Sequence, residues 1–183
     1  MTITQQPHHT EATIRAWLAG ALTNDWAGSN PAITIDRDEI MIVVALSAPE
    51  VAPADDDVTR AAAVDGRITG FRADTRDRRI AVALEAEHRF GRKVSWGASV
   101  SGGAAGDSTV LFTTLSAPAM TRLRQPERKV LDTLVAGGVA RSRSDALAWC
   151  VRLVGENAQT WLADLQAAMA DVDRIREQGP LQS

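Results

Sequence analysis

Residues that start or stop helices are concentrated between positions 120 and 147, and they restrict the fold here more than any other feature does. Pro126 suits the first turn of a helix, where its missing N–H removes no hydrogen bond. The glycine pair at 137–138 suits the end of that helix. Ser142, three residues before Asp145, has the spacing of a capping box that opens another helix. The stretch therefore predicts two short helices joined by a glycine turn.

The residues just before the first of these helices alternate as in a β-strand. One face would be neutral or apolar, and the other would carry two arginines: Ala119, Thr121 and Leu123 against Met120, Arg122 and Arg124. The predicted order is therefore strand, helix, glycine turn and helix. With "RLRQPERKVLDTLVAGG" followed by "SRSDAL", this segment resembles the ribbon-helix-helix superfamily of Arc and MetJ repressors.

The resemblance implies a homodimer joined through the ribbon and the helices, with the paired strands inserted into the major groove of double-stranded DNA. It would place Met120, Arg122 and Arg124 at base edges, where arginine can bind guanine through two hydrogen bonds. It would place Ser142, Arg143 and Ser144 at a backbone phosphate. Family members usually carry polar residues on the groove face, and Met120 departs from that pattern.

Charge is distributed unevenly along the chain. The net charge is −3, which by itself does not favour nucleic-acid binding. Residues 116–152, however, contain seven basic and three acidic side chains, between two acidic flanks. A compact basic segment is the electrostatic feature expected of a DNA-contacting module. The alternative is a helical hairpin with a solvated basic face.

Residues 10–115 predict a separate α+β domain of helix, hairpin, helix and hairpin. A helix is expected over residues 10–23, with the threonine at its start as N-cap. The run "AITIDRDEIMIVVAL" predicts a hairpin with "DRDE" in its turn and a buried strand over residues 40–46. A second hairpin is expected from strands over residues 94–100 and 109–115.

The long segment between the two hairpins has helical character but is interrupted by Gly66 and Gly70. It predicts either two helices with a joint near these glycines or one helix that packs closely there. The charges of "RADTRDRR", residues 72–79, alternate in sign, which is typical of a solvated helix face.

A last helix is expected over residues 156–179. Its apolar residues lie 4, 4, 3 and 3 positions apart: Trp161, Leu165, Met169, Val172 and Ile175. This stripe would either extend a dimer interface or fold back onto its own chain as core, and the core interpretation is favoured. Residues 1–9 are expected to form a disordered tail.

No catalytic arrangement emerges from the sequence. On a helix His88 could meet Glu85 but not Glu87, and such a pair is more often structural. The loop "GGAAGD" lacks the lysine of a phosphate loop. The histidine pair at 8–9 has no further candidate ligand nearby. We therefore expect no enzyme, no metal and no cofactor.

The single cysteine, Cys150, excludes an internal disulfide, and the chain shows neither a secretory signal nor an apolar run of membrane-spanning length. A cytoplasmic, nucleoid-associated protein without membrane contact is expected.

The sequence thus predicts a dimeric, sequence-specific DNA-binding protein that regulates transcription, with its DNA-binding module over residues 116–155. The domain over residues 10–115 would bind a small molecule or a protein, or add dimer contacts. One alternative is the antitoxin of a toxin–antitoxin pair. Another is an oligomerisation or interaction protein that does not bind DNA.

Overall fold

The computed structural model describes residues 10–22, 26, 31–52, 56–101 and 107–178. The predicted tail, with its histidine pair, and most of the "GGAAGD" loop lie outside these ranges. Within them the chain has six helices and four strands, which confirms the mixed α+β class. The chain divides into two compact units, Met1–Pro118 (unit 1) and Ala119–Ser183 (unit 2).

Unit 1 contains a single four-stranded sheet and three of these helices. In chain order its elements are α1 (Glu11–Ala21), β1 (Ala32–Ile35), β2 (Glu39–Leu46), α2 (Asp57–Asp74), α3 (Arg76–Phe90), β3 (Lys93–Val100) and β4 (Ser108–Leu111). The strand order follows the sequence, from β1 to β4. Both outer pairs are antiparallel, whereas β2 and β3 are parallel, with Glu39 opposite Lys93 and Leu46 opposite Val100.

The helices of unit 1 cover one face of the sheet. Alternate residues of β2 point into this layer, since Ile40, Ile42 and Val44 are buried while their neighbours are partly exposed. On α1, Ile14 and Leu18 are fully buried in the same cluster. Thr10 caps this helix as predicted, its side chain accepting a hydrogen bond from the Thr13 amide.

The long helical segment forms two helices, but their joint lies at Thr75 and not near the glycines, and the alternative of one helix that packs closely at the glycines is also wrong. Gly66 and Gly70 lie inside α2, and a Cβ at either would meet nothing within 4 Å. At Thr75 the backbone leaves the helical region (φ −98°, ψ 2°), and its hydroxyl donates a hydrogen bond to the Phe71 carbonyl at 2.6 Å. A polar side-chain bond, rather than glycine flexibility, ends α2.

Unit 2 contains α4 (Gln125–Ala136), α5 (Arg143–Asn157) and α6 (Gln159–Gln178). Pro126 lies in the first turn of α4, and Gly138 has the positive φ of 73° that the turn requires. Ser142 caps α5 by accepting a hydrogen bond from the Asp145 amide at 3.2 Å. These helix boundaries agree with those predicted from the proline, the glycine pair and the serine cap.

Within this chain, residues 119–124 belong to no described strand, so the predicted strand is not confirmed. Another expectation for unit 2 is wrong. The apolar stripe of α6 is not core: Trp161 is 62% exposed, and the rest of the stripe is also exposed. Among its described residues, unit 2 buries Leu131, Ala140 and Ala146, which pack together where α4 and α5 meet.

Gly97 offers a test of the sheet, because β4 passes so close to it that a Cβ would lie 2.8 Å from Leu111 Cδ2 and 2.9 Å from the Val110 carbonyl. We expect Gly97→Ala to destabilise the chain by about 1–3 kcal/mol in urea unfolding, through overpacking. Gly66→Ala is the matched control and should be stabilising by about 0.5–1 kcal/mol, since it adds a methyl group in open space on a helix. Equal effects of the two substitutions would contradict this packing.

Candidate nucleic-acid interface

The segment before α4 is held against the helix pair by one residue. Leu123 packs on the small core of unit 2, and its carbonyl accepts a hydrogen bond from Arg128 Nη1 at 2.7 Å. Its neighbours Arg122 and Arg124 are exposed, so the two arginines lie on the side of the segment away from the core. Neither forms an ion pair or side-chain hydrogen bond with a described residue.

A cleft of about 340 Å³ lies between this segment and the start of α5. Its floor is apolar, formed by Leu123, Leu131 and Leu147, and Ser144 lies at its edge. Met120 also borders the cleft, although its side chain is 99% exposed. The structure therefore gives Met120 a position beside the arginines but no packing role.

The start of α5 has donors available to an anion. The amides of the first helical residues, Arg143 and Ser144, have no acceptor within the helix because of helical geometry. The cap itself is already engaged: Ser142 binds the Asp145 amide, and Asp145 accepts a hydrogen bond from the Arg141 amide at 3.0 Å. This bond holds the pKa of Asp145 below its ordinary value. Asp145 therefore remains ionised next to the helix N-terminus.

Arg143 is already bound by a carboxylate. Its Nε and Nη2 donate to the two carboxylate oxygens of Asp132 at 2.6 and 2.7 Å, which links α5 to α4. The hydrogen bond lowers the pKa of Asp132 and raises the pKa of Arg143. Both groups therefore stay charged at neutral pH, and a phosphate would have to compete with Asp132 for this guanidinium.

The predicted site residues thus fall into two groups. Met120, Arg143 and Ser144 border one cleft, whereas Ser142, Arg122 and Arg124 are not among its lining residues. Sequence reasoning missed Asp132 as the partner of Arg143, because a contact eleven residues apart between two helices follows no local spacing rule. The two glutamates near His88 form ion pairs with other residues, Glu85 with Arg89 and Glu87 with Lys93.

The comparisons with known proteins correct the family assignment. The model of the Rv1265-like protein N-terminal domain matches residues 12–105, and that of the Mb1296 C-terminal domain matches residues 124–176. The assignment to the ribbon-helix-helix superfamily is therefore wrong. The order of an extended segment, two helices and a serine cap is a pattern that helical hairpins outside that superfamily can share.

Two relatives are similar over nearly the whole chain. The uncharacterized proteins Mb1296 of Mycobacterium bovis and Rv1265 of Mycobacterium tuberculosis are each 49% identical over 176 residues, which is 96% of this chain and 73% of theirs. No solved structure matches the chain. Among the described residues, no helix has both the length and the apolar character needed to cross a bilayer. With both units matched and this identity, the chain belongs to the Rv1265-like family.

Proposed function

We propose that this protein is a homodimer that binds double-stranded DNA through the N-terminal half of unit 2 and regulates transcription. The observation that supports this most strongly is the pair of exposed arginines, Arg122 and Arg124, which lie two residues apart and have no carboxylate partner among the described residues. The proposal does not involve a ribbon of paired strands.

Arg122 and Arg124 differ from most other basic residues of unit 2 in that their side chains have no partner among the described residues. Among the other basic side chains of unit 2, Arg128 donates to a carbonyl and Arg143 is held by two bonds to Asp132. Arg141, Arg174 and Arg176 meet carboxylates in exposed pairs, which hold them only weakly. Arg122 and Arg124 are available for an external anion, and Lys129 on α4 and Arg152 on α5 are two more exposed basic side chains that form no hydrogen bond or ion pair with a described residue. Unpaired guanidinium groups in an exposed segment suit contacts with base edges and phosphates.

The start of α5, across the cleft from the segment that carries these arginines, would hold a phosphate. The amides of Arg143 and Ser144, the Ser144 hydroxyl and the positive end of the helix dipole all favour an anion there. Arg143 would contribute by exchanging one of its bonds to Asp132 for a phosphate oxygen. Base contacts by the arginines and a phosphate contact by α5 together would orient the unit on the duplex.

The second copy would dock on a seam that runs through α5 and α6. Eight residues along these helices alternate three and four positions apart: Val151, Val154, Ala158, Trp161, Leu165, Ala168, Val172 and Ile175. This alternation is the heptad signature of a helix that packs on another with the same repeat. The six larger side chains of the seam are exposed. At the junction, Ala158 leaves the helical region (φ −120°, ψ 24°), while hydrogen bonds from Ala158 N to Val154 O and from Leu162 N to Ala158 O, both 2.9 Å, link the two helices across this bend.

Charges beside the seam favour two parallel copies. In a parallel pair in register, Asp171 would face the partner's Arg176, because these residues occupy a g position and the following e position. In an antiparallel pair Asp164 would face the partner's Asp171, which is repulsive. Within one chain Asp171 pairs with Arg174 at 3.1 Å and Arg176 with Asp173 at 3.3 Å. Exposed pairs of this kind contribute little, so they do not oppose association.

A dimer held by the same seam, but without DNA contact, is the second candidate function. The exposed apolar seam favours this candidate by itself, because it involves more residues than the two unpaired arginines do. The two candidates differ in what they require of Arg122 and Arg124: a scaffold protein does not need these side chains, whereas a DNA-binding protein does.

Removal of the two free arginines tests DNA binding. Arg122→Ala with Arg124→Ala should weaken binding to genomic DNA fragments at least tenfold in filter binding at low salt, since each arginine–base pair contributes roughly 1–3 kcal/mol. Binding by the unchanged protein should fall steeply as salt rises, because phosphate contacts release counterions. Arg37→Ala with Arg67→Ala removes two exposed arginines of unit 1 as the matched control. No binding at low salt, or an equal loss in the control, would rule out this DNA interface.

Charges placed in the seam test the dimer. Leu165→Asp with Val172→Asp should convert a dimer into a monomer in sedimentation, because each dimer would bury four carboxylates without partners. Ala163→Asp with Ala170→Asp adds the same charges to α6 at positions away from the seam and should leave the dimer intact.

Orientation can be tested by cross-linking in a Cys150→Ser background. Ile175→Cys, in the seam near the end of α6, should form a disulfide between parallel copies on mild oxidation, whereas Ala170→Cys should not. An unchanged protein that sediments as a monomer would exclude the seam as a self-association surface. A dimer in which Ile175→Cys fails to cross-link would exclude the parallel arrangement.

A further inference from the structure

A cleft in unit 1 collects three arginines and no acidic side chain. It lies where α2 meets α3, beside the residues that follow β4, and has a volume of about 510 Å³. Its lining consists of Thr69, Arg72, Ala73, Arg76, Arg79, Ile80, Phe112 and Thr113. These arginines belong to the "RADTRDRR" stretch, whose alternating charges predicted a solvated face. That prediction is wrong for Arg79, which is only 7% exposed.

Arg79 is buried by its role at the helix joint. Its Nε donates to the Thr75 hydroxyl at 3.0 Å, and its Nη2 donates to the Arg72 carbonyl at 2.7 Å. Its guanidinium also lies over the Phe112 ring, 4.8 Å from the centroid. These contacts fix its position but are all with neutral groups. No described carboxylate pairs with it, which is unusual for a buried charge.

The other two arginines increase the positive charge of the cleft. Arg72 lies over the same ring, with its guanidinium carbon 5.5 Å from the Phe112 centroid, and pairs with no described carboxylate. Arg76 meets Asp77 at 3.5 Å, and both side chains of that pair are largely exposed. Burial, followed by repulsion from Arg72 and Arg76, lowers the pKa of Arg79. A bound anion would compensate for both costs.

We propose that this cleft binds a small phosphorylated ligand. Arg79 would be a preorganised donor, Arg72 and Arg76 would close on the anion from the rim, and the hydroxyls of Thr69 and Thr113 would add neutral donors. Three guanidinium groups suit an anion with more than one negative charge, and planar guanidinium groups bind phosphate oxygens through paired hydrogen bonds.

The shape of the cleft limits the rest of the ligand. Its volume falls within the range of small-molecule sites. The Phe112 ring is approached by Arg72 and Arg79, while Ala73 and Ile80 provide an apolar wall. This lining suits a compact aliphatic body attached to the phosphate. The site lies in unit 1 and does not depend on DNA binding by unit 2.

Calorimetry on the full chain tests this site with three probes: inorganic phosphate, inorganic pyrophosphate and glycerol 3-phosphate. Arg72→Gln and Arg76→Gln should each raise the dissociation constant about tenfold or more, the effect of losing one hydrogen bond to a charged group. Neither change should unfold the chain, since both side chains are on the surface. The hydrogen bond from Arg79 to residue 72 goes to the backbone carbonyl, so it does not need the Arg72 side chain. Arg67→Gln removes an exposed arginine of α2 outside the cleft and should leave the affinity unchanged.

The three probes also distinguish the sources of phosphate. Tighter binding of glycerol 3-phosphate supports a phosphorylated metabolite, and tighter binding of the inorganic anions supports a free phosphate or pyrophosphate site. The proposal is overturned if no probe binds at millimolar concentration, or if Arg67→Gln weakens binding as much as the cleft variants do. A second result would also overturn it: no probe binds, and Arg72→Gln and Arg76→Gln weaken DNA binding. The cleft would then contact nucleic acid and not a small ligand.

Discussion

The parallel pairing of β2 with β3 is the constraint on which unit 1 depends. Parallel neighbours cannot be joined by a tight turn, so the chain must leave β2 at one end of the sheet and enter β3 at the opposite end. Here α2 and α3 make that crossover, and their apolar faces, with Val64, Ile68 and Ala86 buried, cover the sheet. The crossover bends at Thr75, whose hydroxyl accepts a hydrogen bond from Arg79, and three arginines line the cleft at this bend together with Phe112.

Unit 2, in contrast, has a very small hydrophobic core. Three buried residues between α4 and α5 bury little apolar surface, and small units of this kind usually need further burial to be stable. The larger apolar surface lies instead on the exposed seam of α5 and α6. Self-association would bury that seam and thereby stabilise the helix pair that presents Arg122 and Arg124. Dimerisation and DNA binding would then be coupled through stability.

Features governed by local chemistry were predictable from the sequence. Thr10, Pro126 and Ser142 mark helix starts, and the continuous apolar run of residues 40–46 marks a buried strand, because caps and short apolar runs act over a few residues. The joint at Thr75, the burial of Arg79 and the bidentate contact of Arg143 were not predictable. Each depends on which elements pack together, and a charged residue in an alternating stretch gives no sign that it will be buried. The order of predicted elements in unit 2 resembled the ribbon-helix-helix superfamily, but that resemblance did not identify the family to which the chain belongs.

The central claim is that the protein binds specific DNA through the free arginines of unit 2. Genome-wide recovery of DNA bound to the full chain tests it most directly, with the Arg122→Ala and Arg124→Ala double variant examined in parallel. We expect discrete enriched sites for the unchanged protein and their loss in the double variant. Recovery without enriched sites, or enrichment that persists in the double variant, would contradict this account.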